Sequence, residues 1–141
     1  MKTNRYRGVW LAIFLLPAFI ARGGISRLFG GDEKVAWRET FPTAQTESAS
    51  SGKPVFLYFT ASWCGPCQQM KRSTWSDQNV ADALAAGFIP VRIDIDQQPD
   101  LAQQYGVESI PWFAVLDDAG RATRAYTGAV SSDEFLDWLA R

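Results

Sequence analysis

Apolar and polar positions along the chain fall into blocks with two different periods. Residues 54–60 (P-V-F-L-Y-F-T) are an unbroken run of β-branched and aromatic side chains, the pattern of a strand buried on both faces. Residues 61–64 turn directly into a helical stretch expected over about 66–74, and Asp77 stands where an N-cap would open a second stretch through Ala86. Residues 88–96 (F-I-P-V-R-I-D-I-D) alternate and predict another strand, so strand, helix and strand make a right-handed βαβ unit with parallel strands. A short helix is expected near 100–105. Strands over 112–117 and 121–127, joined through Asp118-Ala119-Gly120, then read as a hairpin. Ser131 and Glu134 have capping-box spacing and open a last helix with Phe135, Leu136, Trp138 and Leu139 on its apolar side. Upstream, 31–53 reads as a linker and one helix over 42–51, stopped at Gly52.

The first thirty residues follow a different rule. A basic stretch with Lys2, Arg5 and Arg7 precedes residues 8–21, an apolar run of 14 residues ending before Arg22. As a helix this run covers about 21 Å, short of a hydrocarbon core of about 30 Å. Residues 1–30 are therefore expected to be a signal peptide or a signal anchor, with residues 31–141 as the folded domain. No A-x-A site follows, and Gly24-Ile25-Ser26 is a weak substitute; as an uncleaved anchor, the run would be extended by Ile25, Leu28 and Phe29. The basic flank should stay in the cytoplasm and place the domain outside. A buried core helix is the alternative reading of the run.

Composition narrows the chemistry. A chain of 141 residues with 47% hydrophobic and 13% aromatic content fits one globular domain. Of 14 basic groups, five lie in the first thirty residues; the nine that remain face all 15 acidic groups, leaving an acidic body of about −6. That body has no Lys/Arg cluster to bind nucleic acid. With no histidine, a Cys-His pair, a Ser-His-Asp triad and an imidazole metal ligand are all excluded within this chain, and two cysteines cannot close a four-thiolate zinc site without a second chain. No metal or cofactor is expected.

The only two cysteines, Cys64 and Cys67, lie in S-W-C-G-P-C-Q at the join of a buried strand and a helix. Free N–H groups and the macrodipole at a helix N-terminus favour a thiolate, which makes Cys64 the nucleophile. Its outer position is also expected to be exposed. One turn later Cys67 comes back beside it, close enough for a disulfide, while Pro66 sets φ in the first turn. A static disulfide or two buried thiols would not need this position.

These pieces resemble the thioredoxin superfamily over about residues 35–141: W-C-G-P-C at 63–67, P-V-F-L-Y-F before it, R-I-D-I-D-Q-Q-P at 92–99, Y-G-V-E-S-I-P at 105–111 and T-G-A-V at 127–130. The flanks K-P-V-F-L-Y-F-T-A-S-W-C and M-K-R-S-T-W-S-D-Q-N-V are similar to exported thioredoxin-like proteins and to the C-terminal domain of membrane thiol:disulfide interchange reductases. The resemblance implies a thioredoxin fold of the α/β class, a central mixed β-sheet flanked by helices and here preceded by the N-terminal hydrophobic segment. It implies a redox-active disulfide between Cys64 and Cys67, and a cis Ile110-Pro111 bond against it. It also implies a substrate surface of Trp63, Gly65, Pro66, Ile110, Pro111 and Trp112, with the Ile110 backbone offered to a substrate strand. Trp112 can equally be core. Three positions depart from the family: Tyr58 replaces its buried acid, Arg92 the accompanying lysine and Trp112 the threonine after the cis-proline; Ser109 also replaces a glycine. Asp94 is the nearest carboxylate by sequence to serve Cys67.

The resulting expectation is a monomeric extracytoplasmic thiol:disulfide oxidoreductase, in the periplasm or on the outer face of an inner membrane. Its partners are disulfide-bearing client proteins, a membrane electron-donor protein, and the membrane itself through residues 8–21. Gly65-Pro66 is the dipeptide of reducing family members, which favours a reductase. An oxidase or isomerase using the same residues, and a non-catalytic partner-binding module, are the alternatives.

Overall fold

A computed structural model describes residues 32–141, so the signal or anchor expected over 8–21 lies outside the described residues. The elements run α1 (Phe41–Ser51), β1 (Val55–Thr60), α2 (Gly65–Arg72), α3 (Gln78–Gly87), β2 (Ile89–Asp94), α4 (Pro99–Gln104), β3 (Trp112–Leu116), β4 (Ala122–Thr127) and α5 (Ser132–Leu139). The four strands form one mixed sheet in the order β2-β1-β3-β4. β1 pairs parallel with β2, in the register Tyr58 opposite Arg92, and antiparallel with β3, which pairs antiparallel with β4. This is the mixed α/β sheet expected from the sequence, with the βαβ crossover and the terminal hairpin in place.

The alternation of strand side chains builds two apolar layers. Phe56, Tyr58, Phe113 and Val115 face one side, packing with Met70, Val80, Leu84 and Phe135 from α2, α3 and α5. Val55, Leu57, Phe59, Val91, Ile93, Trp112 and Ala114 face the other, against Phe41 and Ala44 of α1 and Ala102 of α4. β1 is buried on both faces along Val55–Phe59, as its unbroken apolar run predicts.

Element ends follow local bonding. Gly52 ends α1 at φ 74, its N–H donating to the Ser48 carbonyl over 2.9 Å; a left-handed conformation of this kind suits glycine. Asp77 caps α3 through Oδ1, which accepts from the N–H groups of Asn79 and Val80. Ser131 and Glu134 form the full capping box of α5. Most element boundaries fall within one or two residues of the expected ones, and those of α2 have a visible cause. α2 starts one residue early because Cys64 itself takes the N-cap, and it stops at Arg72. Beyond it, Thr74–Ser76 form a single 3-10 turn that carries Trp75 into the core.

Trp75 is fully buried and touches Trp37, Phe56, Tyr58, Phe113 and Phe135, with ring centroids 5.0–6.4 Å apart. Beside it, the buried Thr74 hydroxyl donates to the Val130 carbonyl over 2.6 Å. The segment before α1, expected to be a linker, packs here. Lys34 and Val35 N–H groups both donate to the Trp75 carbonyl (2.8 and 3.4 Å). Arg38 then forms a single parallel bridge with Val91 on the edge of β2.

Trp75 thus joins the sheet, α5 and the segment before α1. Trp75→Ala is expected to lower the unfolding free energy by about 3–5 kcal/mol, read as a lower denaturant midpoint at unchanged slope. A loss below about 1 kcal/mol, the size of an ordinary point substitution, would show that the segment and α5 pack independently of it.

Candidate functional site

β1 ends at Thr60, and three residues carry the chain to Cys64, the N-cap of α2. Cys64 is extended (φ −79, ψ 107), and the Cys67 N–H donates to its Sγ over 3.2 Å. In this position Cys64 Sγ receives one of the N–H groups that have no partner inside the helix, so negative charge on Cys64 is stabilised by a direct bond and by the helix dipole. Cys64 and Cys67 are joined as a disulfide with Cα atoms 5.2 Å apart. Contrary to the exposure expected of Cys64, the oxidised pair is buried, 4% exposed for Cys64 and 1% for Cys67. Ala61 clusters with both cysteines and Ile95 and Ile110 pack against them, so the N-cap hydrogen bond, rather than accessibility, sets Cys64 apart.

The Ile110-Pro111 bond is cis, as the family resemblance implies. The Ile110 carbonyl oxygen lies 3.8 Å from Cys64 Sγ, and Pro111 is buried behind it. Trp63, 66% exposed, is fixed by its Nε1–H, which donates to Asp96 Oδ2 over 2.8 Å. Trp63, Ile95, Val107, Glu108, Ser109 and Ile110 line a groove of about 220 Å³ beside the disulfide. Gly65 and Pro66 lie exposed in the first turn of α2. Five of the six expected surface residues, all but Trp112, therefore come together around Cys64. Trp112 is instead core, 8% exposed and packed on Phe59 and Tyr105 at 5.6 and 6.2 Å. On β3 its side chain belongs to the layer that faces α1 and α4, the packing that the core reading describes.

Behind the disulfide is a second cavity, about 180 Å³, where Cys67 meets Tyr58, Thr60, Trp75, Arg92, Asp94 and Glu33. Arg92 donates from Nη1 to Glu33 Oε2 and from Nη2 to Glu39 Oε1, both over 2.8 Å. Burial pushes the Tyr58 phenol above its usual range, and the Glu33 charge adds to that shift. The Tyr58 hydroxyl and Trp75 Nε1 are buried without a hydrogen-bond partner of ordinary geometry. Glu33, Trp37, Trp75 and Asp96 were not legible as site residues. Glu33 reaches Arg92 across 59 positions of sequence, and no local pattern marks a contact of that span.

A dithiol at the end of a buried central strand, capped onto a helix N-terminus beside a cis-proline, defines the thioredoxin fold with its thiol–disulfide exchange site. The profile of the thioredoxin-like domain family matches residues 41–141, and the chain belongs to that family. Chloroplastic thioredoxin Y2 of Arabidopsis thaliana is 31% identical over 104 residues, covering 74% of this chain and 60% of that protein. The thiol:disulfide interchange protein DsbD of Actinobacillus pleuropneumoniae is 30% identical over 98 residues, covering 65% of this chain and 17% of that protein. A solution structure of a thioredoxin from Thermus thermophilus superposes with a TM-score of 0.68 at 28% identity, covering 76% of this chain and 85% of that one. The chain spans about three-fifths of the length of the chloroplastic relatives it matches.

Two outcomes follow from this geometry. In the reduced protein, Cys64 should be alkylated ahead of Cys67 by limiting iodoacetamide, because only its sulfur sits at the N-cap; mass spectrometry of the peptides decides, and labelling of Cys67 first would reverse the assignment. Tyr58→Phe removes an unpartnered buried hydroxyl, so stability at neutral pH should be unchanged or higher. The folded chain resists ionising this phenol more than the unfolded chain does. Stability is therefore fully present below the unfolded value of about 10 and declines as pH rises above it. The difference between the wild-type and Tyr58→Phe pH–stability profiles should show that decline, and a variant destabilised at pH 7 would show that the hydroxyl is bonded after all.

Proposed function

We propose that this chain is an extracytoplasmic thiol:disulfide oxidoreductase that reduces disulfide-bearing client proteins. The observation that carries the reading is the Cys64–Cys67 disulfide at the N-terminus of α2, with Cys64 as N-cap. In the reduced protein, the Cys64 thiolate attacks a client disulfide; one client sulfur leaves as thiolate and the other is held in a mixed disulfide. Cys67 then attacks Cys64 Sγ, its own proton departing, and the second client thiolate leaves. The client gains two electrons and the dithiol becomes the disulfide seen here. The groove along Trp63 and Ile110 would hold the client strand, with the Ile110 backbone beside Cys64.

Support for the reducing direction comes from Gly65-Pro66 between the cysteines, the dipeptide of reducing family members. Support for an extracytoplasmic place comes from the basic flank and apolar run over 1–21 and from the similarity to an interchange protein. Among the described residues no helix is long and apolar enough to cross a membrane; the tether proposed here is the apolar run over residues 8–21. An exported reductase has no soluble reductant pool comparable to the cytosolic one, so a membrane electron-donor protein would return the two electrons. Tethering both partners would raise their effective concentration.

The reduction potential tests the direction. Equilibration with glutathione should place it near that of thioredoxins, about −270 mV, and a value near −120 mV, that of a strong periplasmic oxidant, would make the chain an oxidase. In parallel, Cys67→Ala should trap clients as mixed disulfides on non-reducing gels. Absence of such adducts, with function intact in a Cys64→Ser, Cys67→Ser double variant, would favour a non-catalytic binding module. A reporter active only after export, fused behind Arg141, should be active; an inactive one would return residues 8–21 to the fold.

A further inference from the structure

Resolution of the mixed disulfide requires Cys67 to lose a proton, and Cys67 is buried. The groups around the cavity behind it that can titrate or carry charge are Glu33, Tyr58, Lys71, Arg92 and Asp94, with Glu39 held outside on Arg92. Lys71 and Arg92 are cations and cannot accept a proton. Burial keeps the Tyr58 phenol neutral well past neutral pH, so it is no base. Two carboxylates remain.

We propose that Glu33, carried by the segment before α1, is the proton acceptor for Cys67 and takes the place of the carboxylate missing from position 58. Three features of the structure single it out over Asp94. Glu33 is held from both sides: Oε2 accepts from Arg92 Nη1 over 2.8 Å and Oε1 from Trp37 Nε1 over 2.7 Å, with its side chain 14% exposed. Its backbone neighbours Lys34 and Val35 donate to the carbonyl of Trp75, another lining residue of the same cavity, which fixes the segment there. The Glu33 charge is also felt at Tyr58, the residue on β1 where an acid would otherwise stand. Asp94, by contrast, ends β2 and spends Oδ1 on the Asp96 N–H over 2.8 Å, closing the turn that follows.

Each Glu33 oxygen retains a lone pair beyond the bond it accepts. A cavity of about 180 Å³ has room for several waters at roughly 30 Å³ each. The proton passes from Cys67 Sγ through such water to Glu33. The freed electron pair forms the bond to Cys64 Sγ, and the Cys64–client bond breaks with the client sulfur leaving as thiolate. The dithiol is oxidised by two electrons and the client reduced by two. Arg92 holds the carboxylate in register, so Arg92 is a positioning residue. The proposal rests on the exchange chemistry of the cysteine pair and is independent of the direction of electron flow in the cell.

Stopped-flow resolution of a preformed mixed disulfide on Cys64, in the full-length protein between pH 5 and 9, tests it. Glu33→Gln keeps the shape and one accepted bond, since its single amide oxygen can accept from Arg92 or from Trp37 but its NH2 from neither, and it cannot accept a proton. It should slow resolution near neutral pH by about 100-fold, the lower end of general acid–base effects, and convert the profile to a simple rise with hydroxide. The rate of Cys64 alkylation should not change, and Glu33→Asp should recover part of the loss. A purely structural role would be shown by Glu33→Gln resolving at the wild-type rate with the wild-type pH profile, and would overturn the proposal. So would Asp94→Asn carrying the whole loss instead. Should Glu33→Gln fail to fold, Glu33→Ala resolving at the wild-type rate with the wild-type pH profile would overturn it equally. Failure of the wild-type protein to resolve any mixed disulfide would sink the exchange activity itself, an outcome distinct from either variant result.

Discussion

The fold depends on β1 being paired on both edges and covered on both faces. Its N–H and C=O groups are taken up by β2 on one side and β3 on the other, and Val55 through Phe59 are all buried. A strand held in this way has no freedom left at its end, so the turn after Thr60 delivers Cys64 to one place. That place is the N-cap of α2, where the Cys67 N–H reaches Cys64 Sγ. The helix in turn is held by Met70, buried against the same layer as Phe56 and Tyr58. Rigid strand and rigid helix therefore fix the two sulfurs within one turn, and an exchange reaction needs that proximity in order to proceed without rearrangement of the chain.

The charge pattern around the dithiol separates its two faces. On the outer side, helix N–H groups and the cis-proline loop surround Cys64, and Trp63 is pinned by Asp96 next to an open groove. On the inner side, Cys67 adjoins a small cavity with an arginine between two glutamates. A nucleophile needs stabilised negative charge, and a resolving thiol needs somewhere for its proton. In the proposed exchange the two requirements would be served from opposite sides of a single turn.

The segment before α1 connects these features to the rest of the molecule. It reads in the sequence as a linker, yet Val35 is buried, Trp37 packs among Phe56, Tyr58 and Trp75, and Arg38 bridges to β2. The aromatic residue at position 58 makes sense in this setting. A phenol ring fills the space between Trp37 and Trp75, at 5.4 and 5.1 Å, where a short carboxylate would leave a void. Aromatic packing occupies position 58, and the segment that it recruits carries Glu33 to Arg92.

Much of this was legible from residue order alone. The apolar run of β1, the alternation of β2, the turn at Asp118-Ala119-Gly120 and the capping box of α5 are local patterns, and each element stands where its pattern lies. The dithiol at the strand-to-helix join was legible for the same reason, since a helix terminus and a spacing of three are short-range features. Residue order could not decide which way Trp112 faces, where α2 yields to the 3-10 turn at Trp75, or that Glu33 meets Arg92 behind Cys67. Those outcomes depend on which layer a strand residue joins once the sheet has closed and on contacts between residues dozens of positions apart. Periodicity within one element carries no information about the surface that another element presents to it; only packing in three dimensions supplies that.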